Sequence, residues 1–138
     1  MEVAAPLARV FAELCEPERF LGLQPLLVEV REVPAAPGAR AFDALERVRA
    51  LGLPLWSRLR VELRAEEKAR RVAFATRAAL GIRLTGAFEL AALAAGRTAV
   101  RETVSVRCPR LLRPFVVAQA RSAQHALLEN LKQRLEAS

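Results

Sequence analysis

The sequence predicts an α+β fold in which a curved antiparallel sheet closes over one long C-terminal helix. Three observations predict it. Between residues 26 and 107, short runs alternate apolar and polar residues with a period of two, and glycine or proline clusters separate them. Residues 115–136 hold neither glycine nor proline and repeat apolar residues at helical spacing. No other segment is long enough to cover the apolar face of such a sheet.

Taken in order, Glu2, Val3 and Ala4 leave room for only a short first strand. Pro6 suits the first turn of a helix, and Leu7, Val10, Phe11 and Leu14 recur at helical spacing up to Cys15. Glu16-Pro17-Glu18 breaks that helix and opens a second, short one, which carries Phe20 and Leu21 and ends near Gly22. Its acidic residues favour the N-terminal end of a helix dipole. From Leu26 the period becomes two, with Leu26, Val28 and Val30 on one face. Pro34-Ala35-Ala36-Pro37-Gly38 is a turn by composition.

Five more strands are expected, over residues 41–50, 55–64, 71–78, 81–90 and 98–107. Gly52 with Pro54, then Glu66-Glu67-Lys68, then Ala95-Gly96 reverse the chain between them. One face of these strands carries Ser57, Leu59, Val61 and Leu63, then Val72, Phe74 and Thr76. It continues through Ile82, Leu84, Gly86, Phe88 and Leu90 to Thr98, Val100, Glu102, Val104 and Val106. Consecutive strands with short links make an antiparallel meander. Pro109 and Pro114 bracket the start of the final helix. Its apolar stripe runs Leu112, Val116, Ala120, Ala123, Leu127 and Leu131, with a second set at Phe115, Ala126 and Leu135. At 1.5 Å per residue such a helix spans on the order of 30 Å, enough to cross the sheet. No repeat or low-complexity linker divides the chain, so residues 1–138 are expected to form one domain.

The net charge is +7 and the isoelectric point about 11.1. Arginine supplies nearly all of it, since lysine occurs only at positions 68 and 132. Arg58, Arg60 and Arg64 interleave with Leu59, Val61 and Leu63, the pattern of the wet face of a one-sided sheet. Nucleic acid is not an expected partner. Surface aromatics that would stack bases do not accompany these arginines: tyrosine is absent, and Trp56 is the only tryptophan. No apolar run is long enough to cross a bilayer, and the N-terminus has no secretory pattern. Cys15 and Cys108 lie far apart and make no disulfide framework, so a reduced, cytoplasmic setting is expected. No Cys/His spacing suits a metal and no glycine-rich loop suits a phosphate, so no metal and no cofactor are expected.

Glu102 is the most informative polar residue, because it shares the parity of Val100 and Val104. If that face points inward, a carboxyl group enters the interior, and burial raises its pKa toward a useful acid or base. An arginine partner, a bulge or a rim position would each account for it without chemistry. Glu46 is a weaker case of the same kind, sharing parity with Val48 and Ala50. Ser57 and Thr76 offer hydroxyls, to a ligand or to a local hydrogen bond. His125, the only histidine, lies on the long helix near Glu129, where a solvated role is the simpler one. Nothing near Cys15 activates it as a nucleophile. Trp56 falls on the arginine-bearing parity, where it caps a cavity mouth, covers an arginine stem or joins an interface.

Several local patterns carry a family resemblance. Ala5-Pro6-Leu7-Ala8-Arg9-Val10-Phe11, Glu16-Pro17-Glu18-Arg19-Phe20, Gly96-Arg97-Thr98-Ala99-Val100 and the ending around Asn130-Leu131-Lys132 occur in this order over nearly the full chain. The set resembles the START-related (SRPBCC) superfamily, which includes polyketide cyclase/dehydrase-like and lipid-transport proteins. Two departures stand out. A tryptophan often found near the second helix is missing, and only four residues precede Ala5-Pro6. The stunted first strand leaves a sheet edge open to a partner chain, compatible with a homodimer, or points to a start upstream of Met1.

The resemblance implies a helix-grip fold and an apolar pocket between sheet and C-terminal helix. It implies no universal catalytic residues. Expected ligand-lining residues are Leu59, Val61, Phe74, Thr76, Leu84 and Phe88, followed by Val100 and Glu102. The helix is expected to add Phe115, Gln119 and Ser122. The expected function is binding or transport of a small hydrophobic or amphipathic molecule such as a lipid, isoprenoid or polyketide, without catalysis. The alternatives are a polyketide cyclase or dehydratase with Glu102 as acid/base, and a protein-interaction module with a filled core.

Overall fold

The alternating runs pair into a single antiparallel sheet. The computed structural model describes residues 1–50 and 52–137. Its strands are β1 (Glu2–Val3), β2 (Leu27–Val33), β3 (Arg40–Ala50), β4 (Leu53–Glu66), β5 (Arg71–Arg77), β6 (Arg83–Leu93) and β7 (Arg97–Arg107). Strands β2 to β7 form a meander, and β1 pairs with β7, giving the order β1-β7-β6-β5-β4-β3-β2. Helix α1 is Leu7–Cys15 and helix α2 is Arg113–Glu136, with a 3-10 turn at Pro17–Phe20 between α1 and β2. This is the helix-grip arrangement.

Three local expectations change. The second short helix is only a 3-10 turn, because Gly22 takes a φ of +85° that ends it at once. In β2 the face switches: the register shifts between Leu27 and Glu29, so Leu27 and Val30 point inward and Val28 is exposed. A bulge adds one residue and breaks the period of two. The final helix begins two residues earlier than the last proline suggests, since proline is tolerated in a first turn. Phe115, expected on its apolar side, lies in that first turn and is exposed.

The inner face of the sheet is graded from one end to the other. At one end α1 packs across β4 to β7, and Val10 and Leu14 bury themselves with Leu63, Val72, Leu90 and Val100. The C-terminal half of α2 adds Leu127, Leu131 and Leu135 to the same core. Thr98 is fully buried and donates its hydroxyl to the Ala5 carbonyl at 2.8 Å, which fastens the start of α1 to β7. Among the described residues, no second α-helix covers the opposite end of the inner face.

An ion-pair triad joins the helices. Glu13 is buried, and its carboxylate oxygens accept from Arg19 at 2.6 Å and Arg134 at 2.9 Å. Arg134 also donates to the carbonyls of Arg19 and Leu21. Burial acts to raise the Glu13 pKa, but the hydrogen bonds and charges of the two guanidinium groups together outweigh it and hold the carboxyl below its ordinary value. Glu13 is the buried member, and the guanidinium groups it pairs with keep access to water, Arg19 with 55% and Arg134 with 34% of its side chain exposed. Glu13→Ala is therefore expected to cost about 1–2 kcal/mol in urea unfolding at neutral pH, the loss of two charge-assisted hydrogen bonds rather than a stranded buried charge. The stabilisation is present above the pKa of the unfolded carboxyl, about 4.3, and is lost as pH falls through the lower folded value. The variant's deficit should therefore shrink in acid, and a pH-independent deficit would show that packing, not charge, is what Glu13 supplies.

Candidate functional site

A cavity of about 130 Å³ remains between the sheet and the middle of α2. A volume of this order admits one six-membered ring. The sheet supplies Leu59, Val61, Leu63, Phe74, Leu84 and Phe88 to its wall, with Phe42 and Val104 at the flanks. Phe74 and Phe88 pack with ring centroids 5.4 Å apart. The helix supplies Ala120, Ala123, Gln124 and Leu127, a stripe at spacing i, i+3, i+4, i+7. Two small residues on that stripe keep α2 from filling the space.

Five polar side chains line the cavity: Gln24, Glu46, Thr76, Glu102 and Gln124. Glu102 faces Phe88 across the β6–β7 pair, and its Oε1 is buried with no hydrogen-bond partner. The Gln124 amide donates to the backbone carbonyl of Glu102 at 2.8 Å, not to its carboxyl group. Desolvation alone pushes the Glu102 pKa up to about 7. Glu46 is raised by the same cause. The two carboxyls enter from β7 and β3, each one strand in from an opposite edge of the sheet. A neutral carboxylic acid in an apolar wall can donate one hydrogen bond, and an ionised one can take a proton.

The residues expected from the sequence divide into two groups. Leu59, Val61, Phe74, Thr76, Leu84, Phe88 and Glu102 lie in the wall. Val100, Phe115, Gln119 and Ser122 do not. Val100 sits one pleat nearer the closed end, packed in the core. Phe115 is beyond the sheet in the first turn of α2. Each helical residue turns by 100°, so Ser122 faces solvent while Ala123 faces in. The helix contact missed by the sequence is Gln124, which borders the expected stripe one turn after Ala120 and before Leu127 but breaks its apolar pattern. Gln24, in the irregular link before β2, and Leu27, behind the bulge, had no periodic signal.

Other candidates have ordinary surroundings. His125 is exposed on α2. Burial raises the Cys15 thiol to about 11, so it is no nucleophile at neutral pH. Trp56 is 60% exposed, with the Arg47 guanidinium 5.8 Å from its ring centroid. Among the described residues, no group of three or more His, Cys, Asp or Glu side chains could hold a metal. Among the described residues, no helix is long and apolar enough to cross a membrane.

A sheet gripping one long helix over a mostly apolar cavity with a few polar side chains defines a class of ligand-pocket folds. The family model described as polyketide cyclase/dehydrase and lipid transport matches residues 1–136, and the chain belongs to that family. Among solved structures, the Zhui aromatase/cyclase from a Streptomyces species superposes with a TM-score of 0.79 at 17% identity, over 99% of this chain and 90% of that one. A START superfamily protein from Mycobacterium smegmatis gives 0.73 at 15%, over 99% and 94%. The di-domain ARO/CYC StfQ of the steffimycin pathway gives 0.78 at 18%, and this chain spans 43% of it. At these identities the likeness is one of fold. No curated protein matches the sequence at a significant level.

Proposed function

We propose that this protein binds a small apolar or amphipathic molecule, of the lipid, isoprenoid or polyketide kind, with one ring or chain segment in the cavity between sheet and α2 and the remainder reaching out through its open side. The observation that carries the reading is an apolar wall with one unpartnered carboxyl oxygen, that of Glu102, inside it. Burial of ligand apolar area supplies affinity at roughly 25 cal/mol per Å². A hydrogen bond to Glu102 sets the orientation, since an unpaired polar group in such a wall rejects a ligand that cannot satisfy it. The free thiols of Cys15 and Cys108 support a cytoplasmic setting.

Native mass spectrometry of the purified protein, before and after solvent extraction, tests this reading for a co-purifying ligand. An environment-sensitive apolar dye supplies a second readout. Ala123→Phe fills the cavity from the helix and is expected to weaken dye binding at least about 10-fold. Unchanged affinity would place the dye, and the proposed site, elsewhere.

A second reading has its own support. The Glu102 pKa of about 7 is matched to proton transfer at neutral pH, and aromatase/cyclases are among the neighbours in fold. In that case Glu102→Gln abolishes turnover of a polyketide analogue and leaves its binding within a few-fold. A carrier shows no turnover to abolish.

A further inference from the structure

The outer face of the sheet carries a feature that the cavity does not use. Across the strands, Arg31 faces Asp43, Asp43 faces Arg60, and Arg60 faces Arg77. Arg77 then faces Arg83, and Arg83 faces Arg107. One lateral row of six residues thus contains five arginines. Asp43 pairs with its own neighbours, Arg60 and Arg31. Among the described residues, no ion pair reaches Arg77, Arg83 or Arg107, and all three are exposed. Like charges directly opposite one another destabilise a sheet. The fold keeps three of them side by side.

That row ends the strands. Arg77 is the last residue of β5, Arg83 the first of β6 and Arg107 the last of β7. It is the end opposite α1. From Arg77 to Gly86 and from Thr103 to Gln124 the chain has no aspartate or glutamate, and the nearest carboxylates, Glu29, Asp43 and Glu62, border Arg77 farther along the outer face. Large apolar side chains project past the arginines. Leu80, in the link from β5 to β6, is 71% exposed and sits at a φ of +62°, where a leucine is strained. Leu111, just after β7, is 95% exposed. The β3–β4 hairpin runs on past β5, because Arg60 already faces the last residue of β5. On that extension Leu53 and Trp56 are exposed.

We propose that this end of the molecule docks on the surface of an anionic phospholipid bilayer. The arginine row lies over the headgroups, and Leu80, Leu111 and Trp56 enter the interface. Separate aliphatic tips on loops, each beside arginines, suit a fluid apolar layer that needs no shape match. Tryptophan favours that depth, and arginine stems reach up from it to the phosphates. The placement also has a consequence for the cavity. A groove between β7 and α2, bounded by Arg113 and Arg121, shares Val104, Ala120 and Gln124 with it. A docked molecule turns that groove toward the lipid. Only this last step rests on the ligand-binding reading; docking does not need an occupied cavity.

Co-sedimentation with vesicles tests the proposal, using phosphatidylcholine alone and phosphatidylcholine with about 30 mol% phosphatidylglycerol, at about 0.1 M salt. Trp56, the only tryptophan, reports insertion by a blue shift and by protection from an aqueous quencher. Binding is expected to be at least about 10-fold tighter on the anionic vesicles, with the Trp56 shift. The triple variant Arg77→Gln, Arg83→Gln, Arg107→Gln should lose about 100-fold. Leu80→Ser with Leu111→Ser should lose about 10-fold and leave the melting curve unchanged, since neither side chain packs in the core. No vesicle binding, or equal binding to neutral vesicles, overturns the proposal. So does salt-sensitive binding that ignores the leucine variants and leaves Trp56 unshifted, which would mark the arginines as a surface for an acidic protein.

Discussion

Glu102→Gln is expected to stabilise the protein above neutral pH by about 3 kcal/mol and to leave it nearly unchanged near pH 4. The carboxyl has a pKa of about 4.3 in an unfolded chain and about 7 in the fold. Between those values the folded state holds a proton that the unfolded state has released. Stability therefore falls as pH rises through that window, and stays reduced above it. Glutamine cannot ionise, so the variant escapes the loss. For a chain of this size the gain corresponds to roughly 10 °C in Tm at pH 8. Glu46, also raised by burial, adds a slope of the same sign that the variant retains. Thermal melts at several pH values between 4 and 9 give the answer directly. Parallel curves for the two proteins would mean that Glu102 ionises freely and that water fills the cavity. The result also bears on function, because a stability cost kept at one position is a usual mark of a site.

Gly86→Ala is expected to be the most damaging single methyl group in the chain. Gly86 lies on the inner face of β6, between Phe74 of β5 and Val104 of β7. A Cβ there would stand 1.9 Å from the carbonyl oxygen of Thr103 and 2.8 Å from Cζ of Phe74. The phenyl ring can turn aside, but the Thr103 carbonyl belongs to the ladder of β7. The sheet is drawn close at this point because no side chain intervenes, and that bend carries β6 and β7 around α2. Opening it should cost about 3 kcal/mol or more. The variant is expected to express poorly, or to unfold at much lower urea. An alanine variant of wild-type stability would mean that the sheet opens there without loss, and that the curvature is set elsewhere.

Much of the molecule was legible in the order of residues. The period of two from Leu55 onward assigned the inner face, and with it Leu59, Val61, Phe74, Thr76, Leu84 and Phe88. It also put Glu102 on that face. Strand parity is a local property, and it survives wherever no bulge intervenes. It failed in β2, where the extra residue near Val28 reversed the faces and hid Leu27. On α2 the stripe of Ala120, Ala123 and Leu127 was legible. Gln119 and Ser122 stand beside that stripe and outside the cavity wall, because neighbouring helical residues point 100° apart.

Other facts exist only in the tertiary structure. Whether Glu102 meets an arginine or a void depends on which strand end lies over it, and only the closed sheet shows Oε1 unpartnered. That Arg134 reaches Glu13 across 121 residues depends on where α2 stops. The arginine row is the clearest case: Arg31, Arg60, Arg77, Arg83 and Arg107 are scattered in the sequence and aligned only by register. The chain by itself determined its periodicities, its turns, its family and the inward face of the strands from β4 to β7, because these follow from neighbours in sequence. The tertiary structure decided which of those faces leave space, which charges go unpaired and which end of the sheet gathers them, because these follow from strand register and the length of one helix.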